Sequence, residues 1–359
     1  EVIKVEVGEG DWTREAERRT EDGDAALFVW LNRGKRSVVL DGKPEGWREI
    51  LPKLLGMADA FVTDLDDAIL ERFGCAEAVA ASEAGQGSLI VLRISPFGRE
   101  GPFANHPGSE LVVQAMAGYT RYLGKADQPP ERLGADVGEA SAGIYATQAV
   151  LAAMFHRART GKAQSIDVSQ LGTLLAMKTV HLAAQSQPDA WGGPRLGGAN
   201  DPPERGWRTA DRPVTFAFGG SIGAEGRPGW SLFVDEIGLS HLKDDPRFDP
   251  NGRDSTGLGT KARELKAEYE ERFTDLPAED VIEQVRRHGG IGAIYNSLPD
   301  VLGHEQTAAL GIVVTRSDGS QVTRFPARFS NIETDSSGGV AKRGADGPDV
   351  ARRAGLSEQ

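Results

Sequence analysis

SLIVLRISPFG, residues 88–98, decides the fold class. From Leu89 to Ile94 only Arg93 interrupts an apolar run, whereas a strand with one wetted face alternates polar and apolar side chains. A short apolar run closed by Pro96 and Gly98 reads as a strand buried on both faces, the pattern of a parallel sheet covered by helices. Upstream lie three more strand patterns, EVIKVEV (1–7), RSVVLDG (36–42) and AFVTD (60–64). Between them are an amphipathic helix, residues 45–58, with Trp47, Ile50, Leu51 and Leu54 on one side, and a short helix AILERFG ended by Gly74. Downstream, residues 140–159 form an Ala-rich helix with Ile144, Leu151, Met154 and Phe155 on its apolar face. His156, Arg157 and Arg159 fill its last turn, Gly161 follows, and SIDVS (165–169) is a further strand. The expected fold class is therefore α/β, a parallel sheet flanked by helices. In such sheets ligands gather at the carboxyl ends of strands, here Asp64-Leu65 and Ser95-Pro96-Phe97-Gly98.

The text changes at GGPRLGGANDPPERG, a Gly/Pro-rich connection, and four segments follow: 1–190 a large domain, 191–206 a linker, 207–330 a smaller α+β domain, and 335–359 a return to the large domain. The smaller block holds strand PVTFAFG, helix WSLFVDEIG, helices near 260–273 and 278–288, and a hairpin signalled by Asp318-Gly319.

Bulk properties exclude several classes of function. With 39% hydrophobic and 26% charged residues in 359, the chain is an ordinary globular protein. Its net charge of −12 argues against nucleic acid or an anionic membrane as the main partner. A single cysteine, Cys75, rules out a disulfide framework and fits a reducing cytoplasm. No apolar run reaches the roughly 20 residues that span a bilayer. Histidines 106, 156, 181, 241, 288 and 304 lack metal-ligand spacing, so no metal site is expected, and there is no phosphate-loop or nucleophile-elbow motif.

One carboxylate stands out. In RLGADVGEASAGIYA, residues 132–146, Glu139 sits among glycines and alanines at the threshold of the long helix. From its own neighbourhood it reads as a first-turn acid complementing the helix dipole, or as a functional carboxylate to which small neighbours Gly138, Ala140 and Ser141 give access.

LNRGKRSVVLD (31–41), ILERFG (69–74), ISPFGREGPFANHPGSELVVQAMAGY (94–119), RTGKAQSIDVS (159–169) and DDPRF (244–248) occur in the order and spacing of the class III CoA-transferases. The chain resembles that family over nearly its whole length, including the ending PDVARRAGLS. The resemblance implies a Rossmann-like large domain, a smaller domain and an interlocked dimer of ring-shaped chains. A first strand–helix unit is expected ahead of Glu1. It implies transfer of CoA from an acyl-CoA to a free carboxylic acid, with CoA thioesters as substrates and no tightly bound cofactor. The family nucleophile is an aspartate that attacks the thioester, giving a mixed anhydride and CoA thiolate before exchange through an enzyme-bound thioester. That aspartate falls on Glu139.

The resemblance also marks departures. Val7 stands where the family has an arginine near the CoA phosphates. Asp64-Leu65-Asp66-Asp67-Ala68 replaces an Asn-Phe-x-Pro-Gly loop that cradles CoA, so three carboxylates are expected to repel a polyanion. Arg72 matches a CoA contact. Some relatives carry a mobile Gly-rich loop where this chain has NDPPERGW, stiffened by Pro202 and Pro203. The related α-methylacyl-CoA racemases use a His/Asp pair, and their histidine corresponds to Ser109, so a racemase is disfavoured. Two readings follow. Either the chain is an active CoA-transferase with Glu139 as nucleophile, or it is a diverged, non-catalytic subunit. In the second case it pairs in a heteromer with an intact paralogue that carries the aspartate.

Overall fold

The computed structural model describes residues 1–16, 18–40, 44–120, 129–179, 182, 206–218, 229–245, 262–316, 319–332, 334 and 338–356. The linker expected at 191–206, with Pro202 and Pro203, lies outside these residues except for Gly206. The chain forms two compact units, one of Glu1–Ala117, Ala135–Met177 and Leu302–Gln359, the other of Gly118–Gly134 and Lys178–Val301.

The first unit alternates strand and helix in the order β1 (Ile3–Val7), α1 (Ala26–Asn32), β2 (Arg36–Leu40), α2 (Pro44–Gly56), β3 (Ala60–Thr63), α3 (Asp67–Arg72), α4 (Ala76–Glu83), β4 (Ile90–Ser95), α5 (Glu110–Met116), α6 (Val137–Thr160), β5 (Ser165–Ser169) and α7 (Gln170–Met177). All its pairings among these strands are parallel, and they fall into two sheets. β1 pairs with β2 from Ile3↔Arg36 to Val7↔Leu40. β3, β4 and β5 form the second, with Ala60↔Ile90 at one edge and Ser95↔Ser169 at the other. Both sheets feed one core, where Val38, Leu40 and Val91 meet Trp47, Leu51 and Leu54 of α2, Leu70, Val79 and the buried thiol of Cys75. On the other face of β4–β5, Leu92 and Val168 pack on Ala142 and Ala146 of α6. The buried stripe of α6 is Gly138, Ser141, Ala142, Ala146 and Ala153, small residues that let the helix lie close to the sheet.

A buried polar knot fastens β1. Glu6, 3% exposed, accepts from Arg14 Nε and Nη2 at 2.7 and 2.6 Å, from Ser37 Oγ at 2.6 Å and from the Asp11 N–H at 3.2 Å. Burial pushes its pKa up, but the bonds from Arg14, Ser37 and Asp11 outweigh this and hold it at about 2.

The second unit is built on aromatic packing. β6 (Val214–Ala217) and the short β7 (Ile291–Ile294) are antiparallel. With α8 (Gly229–Glu236), α9 (Ala262–Phe273) and α10 (Ala278–Arg287) they enclose Trp207, stacked 4.3 Å from Phe216, together with Phe233, Tyr269 and Phe273. Helices α11 (Leu298–Gly303) and α12 (Glu305–Leu310) follow. The chain then forms the antiparallel hairpin β8 (Val313–Thr315) and β9 (Gln321–Thr323) of the first unit. Gly319 takes the positive φ of 74° that the turn demands, while Asp318 lies outside the described residues. Helix α13 (Gly347–Arg353) closes on β2: Asp346 accepts from the Ser37 N–H at 2.9 Å, and Val350 is fully buried in the first unit's core.

Candidate active site

α6 begins without help from its own N-cap, since the Asp136 side chain makes no capping bond. A carboxylate from another helix does that work. Glu110, first residue of α5 and 7% exposed, accepts the Gly138 N–H on Oε1 and the Glu139 N–H on Oε2, both at 2.8 Å. Gln114, one turn along α5, donates to Glu110 Oε1 at 2.7 Å and to the Ala135 carbonyl at 3.2 Å. Glycine at 138 lets the carboxylate come this close, since a Cβ there would stand 3.0 Å from Glu110 Oε2 and push it back by a few tenths of an ångström. One turn on, Ser141 Oγ lies 2.9 Å from Thr173 Oγ1 of α7 and donates to the Gly138 carbonyl.

Glu139 is thus an exposed residue in the first turn of α6. α6 returns through Gly161 into β5, so its first turn lies at the carboxyl edge of the β3–β4–β5 sheet. There the loops after β4 and β5 are joined by the Leu171 N–H donating to the Pro96 carbonyl at 3.0 Å. Glu139 is the acid in the first turn of α6, where the helix dipole favours it, while the second and third amides of α6 bond Glu110. An exposed carboxylate flanked by Gly138 and Ala140 has steric room to reach an electrophilic carbonyl carbon.

Val7 ends β1, 37% exposed, its carbonyl taken by the Gly10 N–H at 3.1 Å. Asp64, exposed, and Leu65, half-buried in the core, follow β3, and the Leu65 N–H donates to Thr63 Oγ1 at 3.1 Å. Val7, Asp64 and Leu65 stand at carboxyl ends of parallel strands, Val7 in the β1–β2 sheet and the other two in the sheet whose carboxyl edge carries the α6 turn with Glu139. Arg72 does not; it is the exposed last residue of α3, its carbonyl accepting from Arg48 Nε at 3.1 Å. In the acidic segment expected to repel CoA, two side chains also have structural partners. Asp66 turns its Oδ1 to the Ile69 N–H at 2.8 Å and caps α3. Asp67 forms ion pairs with Arg93 and Arg99, the former buried, and the hydrogen bond from Arg93 holds its pKa below the usual carboxylate range. Asp66 thus bonds a neutral amide, and Asp67 shares its two arginines with Glu83. Ser109 is the N-cap residue of α5.

Among the described residues no cluster of three or more His, Cys, Asp or Glu could hold a metal ion, and no helix is long and apolar enough to cross a membrane. The sequence reading missed Glu110 and Gln114. The local signal was a Glu–Gln pair four apart in GSELVVQ, which alone looks like any helix face.

The sequence pattern described as CoA-transferase family III matches residues 1–346, and the chain belongs to that family and is a CoA-transferase. The formyl-CoA:oxalate CoA-transferase of Streptomyces avermitilis is 30% identical over 305 residues, 80% of this chain and 71% of that enzyme. The acetyl-CoA:oxalate CoA-transferase of Acetobacter aceti is 28% identical over 340 residues, 92% of this chain and 82% of that enzyme. A CaiB/BaiF family protein from Brucella suis superimposes with a TM-score of 0.80 at 25% identity, covering 98% of this chain and 91% of its own.

Proposed function

We propose that this CoA-transferase moves CoA from an acyl-CoA to a small carboxylic acid through a covalent acyl-Glu139 intermediate. The observation that carries the reading is Glu139 itself, an exposed carboxylate in a braced first turn at the carboxyl edge of the sheet. One Glu139 oxygen attacks the thioester carbonyl carbon, the C–S bond breaks, and CoA leaves as thiolate, giving a mixed anhydride. The thiolate then attacks the Glu139 carbonyl, releasing the donor acid and forming a glutamyl-CoA thioester. The acceptor carboxylate attacks that thioester, and the freed thiolate takes the acceptor acyl group, returning Glu139 as carboxylate. The relatives' acceptor, oxalate, makes oxalate the first acid to assay. A second homologous chain covers the exposed stripe of α6 in this reading.

Hydroxylamine trapping after acyl-CoA addition tests the nucleophile. Wild type should lose turnover with label at residue 139, and Glu139→Gln should show neither label nor turnover. Full activity in Glu139→Gln would sink the assignment. Glu139→Asp withdraws the carboxyl by about 1 Å and should slow acylation by about 10². An Asp variant faster than wild type would favour the diverged-subunit reading, which rests on Val7, the acidic 64–67 segment and Glu139.

A further inference from the structure

We infer that Glu110 is a positioning residue for Glu139: its buried carboxylate sets the angle at which the Glu139 side chain leaves α6. The inference rests on the proposed role of Glu139.

The N-cap residue of α6, Asp136, is of a type that caps helices well, yet its side chain makes no capping bond. Instead the N–H groups of Gly138 and Glu139 are met by a carboxylate 28 and 29 residues away, almost wholly withdrawn from solvent. Burying a carboxylate is costly unless it is fully bonded, and a local cap would stabilise the helix without that cost. The longer route does something a local cap cannot: it locks α6 to α5.

The bonding is also two-handed. Each Glu110 oxygen takes one of two consecutive N–H groups, which fixes the orientation of the peptide between Gly138 and Glu139. That plane defines the direction of the Glu139 Cα–Cβ bond. Gln114 holds Glu110 Oε1 from the other side, and the absent Cβ of Gly138 gives the carboxylate its place. Ser141 with Thr173 ties the next turn to α7, so the first two turns of α6 are gripped from two directions. A glutamate nucleophile has one more rotatable bond than an aspartate, so a fixed point of departure matters more for it. The same bonds make the amides of Gly138 and Glu139 unavailable to a substrate anion, and Glu110 touches no reacting atom.

The test compares single-turnover acylation of residue 139, CoA affinity and thermal stability in the full chain. Glu110→Gln places an NH2 group against one of the two N–H donors. It should keep CoA affinity within about twofold while acylation per folded molecule falls by about 10². Sucrose, which stabilises the fold of Glu110→Gln without touching the site, should recover stability without recovering the rate. If Glu110→Gln does not fold, Gly138→Ala displaces the carboxylate by a few tenths of an ångström and should slow acylation about tenfold at unchanged CoA affinity. Wild-type rates per folded molecule in whichever variants fold, or a rate that returns with stability in sucrose, overturn the positioning role alone. A wild-type chain that is never labelled at residue 139 overturns the nucleophile first, and the positioning role falls with it.

Discussion

Glu6 shows at residue scale how a buried acid can stabilise a fold when its partners are complete. Its carboxylate meets one arginine through two nitrogens, one hydroxyl and one backbone N–H, and it titrates at about 2 against an ordinary 4.5. Because the folded pKa lies below the unfolded one, the contribution is whole above pH 4.5 and is lost as pH falls from 4.5 toward 2. At neutral pH it is worth on the order of 3 kcal/mol. Denaturant unfolding followed across pH 2–7 should show Glu6→Gln less stable by that amount at pH 7, with a shallower loss below pH 4.5. A variant as acid-sensitive as wild type would assign that loss to other carboxylates. The same residue shows what local text hides. Nothing in VIKVEV distinguishes Glu6 from a solvated strand acid, since its partners at 14 and 37 come from other elements.

At the scale of elements, close approach is governed by glycines whose surroundings differ sharply. A Cβ on Gly290 would stand 2.6 Å from Phe218 and 2.7 Å from Val285, both in the aromatic core of the second unit, whereas a Cβ on Gly143 would meet nothing within 4 Å. Gly290→Ala should therefore cost about 1–3 kcal/mol through overpacking, while Gly143→Ala, mid-helix in α6, should gain up to about 1 kcal/mol. Urea titration with the buried Trp207 as fluorescent probe reads the first, and helix melting reads the second. Equal effects at the two sites would contradict the packing. Elements with strong local pattern were legible in advance. SIDVS is β5 residue for residue, and the apolar run at 88–95 is β4 without its first two positions. β7 was not read, because IGAI is four residues long with a glycine inside and becomes a strand only by pairing with β6. α6 starts at Val137 and not at 140, because its first turn is held by Glu110 and not by a local capping motif. For the same reason the candidate site was half legible: Glu139 by its place in a family pattern, Glu110 not at all, since a contact between helices leaves no mark in either one's spacing.

Across the whole molecule, α6 buries its small residues and turns large ones outward. Ile144, Leu151 and Phe155 are 60%, 61% and 65% exposed along one side of a helix whose other side is packed. Exposing that much apolar surface is unfavourable, and association with a second chain would remove it from water. Light scattering at micromolar concentration should give a dimer for wild type and a monomer for Leu151→Asp with Phe155→Asp, both still folded, as neither side chain supports the core. An unchanged mass in the double variant would move the interface elsewhere. Cys75 carries a different consequence. Its thiol is 1% exposed among Leu70, Val79 and Trp47, and burial raises its pKa, so the reactive thiolate is suppressed as well as hidden. As the sole sulfhydryl in the chain, it is a clock already installed in the first unit: a maleimide can reach it only when that core opens, and its alkylation rate counts those openings one molecule at a time.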